Sequence, residues 1–189
     1  MLVVVTSIPG VGGTTVTKKA IESLKARDII YETINYGDVM FEIAKSKGCA
    51  DARDDMRKMS PDIQKDVQRS AAKKIRQMSE GKNMILDTHC TISTKKGYLP
   101  GLPEWVLREL NPERFIIVEA SPDEVFERRS SDKTRARDVE SAESINQHQD
   151  MNRNIASAYS MICGMTVKII QNPQGKVEQA ASEMVSVLE

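Results

Sequence analysis

The stretch Leu2-Val3-Val4-Val5-Thr6-Ser7-Ile8-Pro9-Gly10-Val11-Gly12-Gly13-Thr14-Thr15 decides how the rest of the chain is read. A short apolar, β-branched run predicts a buried strand. The Gly-rich turn after it predicts a sharp reversal, and the spacing of Val16, Ala20 and Leu24 predicts an amphipathic helix over residues 13–25. Strand, glycine turn and helix in that order make a phosphate-binding loop. Glycines let successive N–H groups converge on one anion, and the helix start adds its own unpaired N–H groups and positive dipole end.

Set against G-x-x-x-x-G-K-[ST], Ser7 stands at the first glycine and Gly12 at the second. Gly13 stands where the lysine belongs, and Thr14 at the hydroxyl that would ligate magnesium. The loop keeps the cradle and lacks the charge.

Further apolar, β-rich runs lie at 29–35, 84–87, 115–119 and 166–171, with helical patterns between most of them. Strands alternating with helices predict an α/β fold, a parallel sheet covered on both faces. In such sheets ligands bind beyond the carboxyl ends of the strands. Four features converge there: the loop after strand one, Gly37 and Asp38 after strand two, Asp87 after strand three, and Arg128, Arg129, Arg135 and Arg137 after strand four. A strand-end aspartate can hold magnesium directly or through water. Guanidinium forks suit phosphate oxygens and the charge of a transferring phosphoryl group.

Two helices between strands two and three exceed what a crossover needs, and suggest a module that can move. Its second helix opens at Ser60-Pro61 and carries the stripe Ile63, Val67, Ala71, Ile75 and Met78. Arg53, Arg57 and Lys58 in this insertion offer ligands for a second anion. Residues 95–103 read as a Gly/Pro-rich loop, and residues 139–163 as a long helix whose buried stripe includes His148 and Asn152. His89 does not suggest a metal site, and Trp105 reads as packing.

The 189 residues fit one domain. Zero formal net charge gives no footprint of a nucleic-acid or membrane-surface binder. Three cysteines without C-x-x-C spacing argue for a reducing compartment. With no signal peptide or spanning run in view, a cytoplasmic protein is expected.

These motifs together resemble the archaeal type of adenylate kinase, a branch of the P-loop nucleoside monophosphate kinases. The resemblance spans the chain. It rests on the loop from Ile8 to Thr15, on Tyr36-Gly37-Asp38-Val39-Met40-Phe41-Glu42 and on Arg53-Asp54-Asp55-Met56-Arg57-Lys58. It continues through Asp87-Thr88-His89, Lys96-Gly97-Tyr98-Leu99-Pro100-Gly101-Leu102-Pro103, Arg135-Ala136-Arg137-Asp138 and His148-Gln149-Asp150-Met151-Asn152-Arg153, to Val167-Lys168-Ile169-Ile170-Gln171-Asn172 near adenine. It implies a three-layer P-loop sandwich on a five-stranded parallel sheet. A helical AMP-binding insertion at about 36–80 and a short lid at about 128–138 are implied as well.

The activity it implies is reversible phosphoryl transfer from Mg·ATP to AMP, giving two ADP, in a homotrimer. Ser7, Ile8, Pro9, Gly10, Val11, Gly12, Gly13, Thr14 and Thr15 would hold the ATP phosphates, Thr14 and Asp87 the Mg2+, Gly37, Asp38, Met40, Arg57 and Asp87 the AMP side, and Arg129, Arg135 and Arg137 the transferring group. Two alternatives stand beside it. One is a kinase of this fold for another nucleoside monophosphate or a small metabolite. The other is a nucleotide-binding protein without catalysis.

Overall fold

The computed structural model describes residues 1–131 and 141–189. Its strands are β1 Leu2–Ser7, β2 Glu32–Asn35, β3 Met84–Asp87, β4 Thr91–Thr94, β5 Gly97–Pro100, β6 Arg114–Glu119 and β7 Thr166–Gln171. Its helices are α1 Gly13–Lys25, α2 Tyr36–Ser46, α3 Pro61–Ser79, α4 Glu104–Leu110, α5 Pro122–Ser131, α6 Ala142–Cys163 and α7 Val177–Leu188, with a 3-10 turn at Arg53–Lys58. Five strands form one parallel sheet in the order β2-β3-β1-β6-β7. From β1 the chain runs outward to β2, returns through β3, and crosses to β6 on the other side. The loops after β1 and β3 therefore part at a topological switch point, where a crevice opens.

Alternation along β1 assigns the two layers. Val3 and Val5 point to one face and pack with Val16, Ala20 and Leu24 of α1 and Met184 and Leu188 of α7. Leu2 and Val4 point to the other, against Ala71 and Ile75 of α3, Leu107 of α4, Phe115 and Tyr159. Both faces of the central strands are buried, which is why these runs are apolar throughout rather than alternating. The inserted helices keep a small cluster of their own: Ala44, Ala50 and Val67, with Met40, Phe41 and Met56 against it.

Three expectations are corrected. Residues 95–103 are not a loop throughout: Gly97–Pro100 pairs antiparallel with Thr91–Thr94, Ile92 opposite Leu99. A hairpin this short buries little, so its alternation gives a weak signal. On α3, Val67, Ala71 and Ile75 are buried, but Ile63 and Met78 are exposed at the helix ends, beyond the reach of the core. The second strand covers only Glu32–Asn35.

His148 and Asn152 serve the fold. Thr91 Oγ1 donates to Asn152 Oδ1 (2.6 Å), His148 Nε2 lies 3.3 Å from the Thr91 carbonyl, and the His148 ring packs against Tyr98. Trp105 Nε1 donates to Gln68 at 3.2 Å, a packing role as expected. Among the described residues no helix is long and apolar enough to cross a membrane.

Tyr159 ties α6 to the turns before β4 and α4: its hydroxyl donates to the Cys90 carbonyl (3.0 Å) and accepts from the Leu102 N–H (3.2 Å), with its ring edge-on to Phe115. Replacing Tyr159 with Phe strands the Leu102 N–H in the core, while the Cys90 carbonyl keeps the Gly101 N–H (2.8 Å), and is expected to cost about 1–3 kcal/mol, read as a lower urea midpoint at unchanged slope. Burial pushes the Cys90 thiol up to about 12. At pH 8 it stays protonated, so a thiol reagent is expected to label the partly exposed Cys49 first. Cys90 should react only as fast as the fold opens. Labelling of Cys90 at the rate of Cys49 contradicts this.

Candidate active site

The loop between β1 and α1 is held at both ends by its apolar residues. Ile8 and Val11 are buried in the core, whereas Pro9, Thr14 and Thr15 are exposed. Gly10 (φ 91°) and Gly12 (φ 88°) take left-handed conformations that disfavour any side chain. The helix starts tightly, with the N–H groups of Thr15 and Val16 both reaching the Gly12 carbonyl at 3.0 and 3.1 Å. The N–H groups of Gly10, Gly12, Gly13 and Thr14 hydrogen-bond to no described residue. Four unclaimed donors around one turn are the physical content of an anion nest.

The loop's carbonyls, by contrast, are claimed. Val11 O accepts from Arg128 Nη1 (3.0 Å) and from Asn172 Nδ2 (2.8 Å), and Pro9 O accepts from Arg129 Nε (2.8 Å). Arg128 also donates to the Asn172 carbonyl and to Gln174 Oε1, both at 3.0 Å. It thus ties the β1–α1 loop to the turn after β7. Glu124 fixes that turn from α5 by accepting the Gln174 N–H at 2.6 Å, and this bond, with Ser121, holds its carboxyl below the usual carboxylate range. The two arginines are adjacent in sequence but differ in use: Arg128 is a brace, while the stem of Arg129 lies flat across Gly10, within 2.9 Å of where a Cβ would stand.

The opposite wall comes from β2 and β3. Asn35 and Asp87 are partners in register, 3.4 Å apart through Asn35 Nδ2, and Asn35 also caps α2 by accepting the Asp38 N–H. Asp38 accepts from Arg53, whose guanidinium covers Gly37; a Cβ at Gly37 would collide with it. Thr14, Asp38 and Asp87 line one cleft of about 530 Å³ together with Lys18 and Asn35. Among the described residues no three His, Cys, Asp or Glu side chains gather to hold a metal by themselves. Two carboxylates and a hydroxyl are nonetheless the hard oxygen donors that suit Mg2+ when phosphates and water complete its shell.

Of the residues expected from sequence, Ser7 through Thr15, Gly37, Asp38 and Asp87 meet at this edge of the sheet. Met40 is half-buried in packing, and Arg57 is exposed on the 3-10 turn. Arg135 and Arg137 lie outside the described residues. Sequence reasoning missed Asn35 and Asn172. The first had a signal, an Asn standing at an N-cap before Tyr36-Gly37-Asp38; the second joins a loop 161 positions away and had none.

A parallel sheet with this order and a glycine nest after its first strand define a P-loop kinase fold. The family described as AAA domain matches residues 6–146. Shikimate kinase from Bacteroides thetaiotaomicron has the same architecture, with TM-score 0.59 at 12% identity, covering 100% of this chain and 98% of that one. Sequence similarity then narrows the class. The adenylate kinase of Methanothermobacter thermautotrophicus is 54% identical over 188 residues, 100% of this chain and 99% of that protein. That of Methanocaldococcus jannaschii is 51% identical over 99% of this chain and 97% of its own. The chain belongs to the archaeal adenylate kinase family.

Removing the brace tests the loop's construction. Replacing Arg128 with Ala takes one of two donors from the Val11 carbonyl and one from the Asn172 carbonyl, so the loop loses its tie to α5. ATP affinity is expected to fall by roughly tenfold, and by the same factor at low salt and at 0.5 M salt, because hydrogen bonds within the protein rather than a screened long-range charge are lost. Calorimetric titration at two ionic strengths reads both.

Proposed function

We propose that the protein catalyses reversible transfer of the γ-phosphoryl group of Mg·ATP to AMP, giving two ADP. What carries the reading is the meeting of an unclaimed amide nest, an arginine lying across it and a carboxylate wall at one switch-point crevice. In the forward step an AMP phosphate oxygen forms a bond to the γ-phosphorus as the bond to the β-γ bridging oxygen breaks, leaving ADP. The acceptor is already ionised at neutral pH, so no strong base is needed, and positioning with charge neutralisation does the work. Asp38 fits this, being already engaged by Arg53 rather than standing alone beside an acceptor.

In this reading Ser7, Gly10, Gly12, Gly13, Thr14 and Thr15 hold the ATP phosphates, while Ile8, Pro9 and Val11 shape the turn. Thr14 and Asp87 hold Mg2+, which when bound neutralises phosphate charge. Gly37, Asp38, Met40 and Arg57 serve the AMP side. Arg129, with Arg135 and Arg137, steadies the transferring group. The chain is read as one domain with an AMP-binding insertion at about 36–80 and a lid at about 128–138. A homotrimer is read from the family resemblance, the exposed apolar pair Ile92 and Leu99 on the β4–β5 hairpin being available to a subunit contact, and a reducing cytoplasm from three unpaired thiols.

The test is a coupled assay of ADP formation from ATP with AMP, CMP, UMP, dTMP and a hydroxyl acceptor such as shikimate. Turnover is expected with AMP, and Arg129→Ala should lower it by roughly 10²–10³-fold. Turnover with another acceptor alone, or ATP binding without any, overturns the proposal.

A further inference from the structure

The missing lysine has a steric cause on the opposite side of the loop. Gly13 is buried, is the first residue of α1, and is not among the residues with positive φ, so its backbone tolerates an ordinary side chain. Its surroundings do not. A Cβ at Gly13 would stand 2.8 Å from the Ser7 Cβ and closer still to the Ser7 hydroxyl. Turning the Ser7 side chain moves the hydroxyl but not the Cβ. Ser7 itself cannot retreat, because it ends β1, whose register against β6 pairs it with Val118. Loop and strand therefore share room for one Cβ between these two positions.

We infer that Ser7 and Gly13 are a mutually exclusive pair. With a side chain at 7 the loop accepts none at 13, and the motif's two positions have exchanged their Cβ atoms. Ser7 is thus a positioning residue. It keeps the loop free of a resident cation, so that the phosphate charge must be met by groups arriving from outside the loop, among them Arg129, already on the Pro9 carbonyl. Ser7 Oγ hydrogen-bonds to no described residue. The charge part of this inference rests on the phosphotransferase reading above; the packing part does not.

A thermal-melt cycle without nucleotide tests the packing part. In the unaltered background G13A should lower the melting temperature by roughly 2–10 °C, the scale of an overpacked core. In the S7A background, which keeps the Cβ, it should do the same. With S7G it should be neutral or raise the melting temperature, since Ala is a better helix former than Gly. The same loss in all three backgrounds overturns the pair. Turnover then tests the charge part. S7G/G13K should fold where G13K alone melts low, and R129A should cost at least tenfold less turnover in S7G/G13K than in the unaltered chain. An equal cost in both, with the melts as expected, overturns the charge part alone. Absence of any ADP formation in the unaltered enzyme leaves the melts standing and strikes the proposed function instead.

Discussion

The double capture of the Val11 carbonyl is the constraint on which the nucleotide end of the molecule depends. A trans peptide points its C=O and the following N–H in opposite directions. Once Arg128 and Asn172 hold the Val11 oxygen toward the β7 side, the Gly12 N–H faces the other way. There it joins the amides of Gly13 and Thr14 at the head of α1. A glycine loop left to itself has many conformations, and glycine loses the most freedom on being fixed. The side chains that fix it come from α5 and from the turn after β7, so the loop is ordered by elements that follow it by more than a hundred residues.

The rest of the crevice is built from polar groups satisfied in pairs. Glu119, 1% exposed at the end of β6, receives both Nε and Nη2 of Arg153 and the amide of Gln171. A lone carboxylate at that depth would be costly; a chelated one sets the spacing of α6 and β7. Its partnership also removes it from any acid–base role. On the opposite wall Asp38 and Arg53 do the same at the surface, with Asn35 between them and Asp87. Of the carboxylates lining the cleft, Asp87 is the one at a strand end, where a cation bound to phosphate would arrive.

How much of this could be read from residues alone follows from how local each signal is. The β1 run, the glycine turn and the bounds of α1 are encoded in about 25 consecutive residues, and the helix spans Gly13–Lys25 as its periodicity indicates. The α3 start at Ser60-Pro61 is similarly local, and Ser60 accepts the Ile63 N–H. The hairpin at 91–100 was not legible: four-residue strands with one apolar pair look like a loop until α6 is set beneath them. Arg128 and Arg129 were legible as a pair but not as two roles. Their division depends on which loop carbonyl each one meets, a fact of tertiary distance with no trace in sequence. Asn172, for the same reason, looks like any turn residue.

That division bears on why a loop without lysine is workable. A lysine planted in the loop would present its charge whether or not a phosphate is bound. Arg129 instead reaches the loop from α5, with its Nε on the Pro9 carbonyl. A phosphate oxygen carries full charge where a carbonyl carries only a dipole, so a guanidinium interacts more strongly with a phosphate in the nest than with a loop carbonyl. The guanidinium sits near the end of α5, where the helix dipole also favours positive charge, and so stands close to the nest before any ligand comes. The charge is stored against the loop rather than within it.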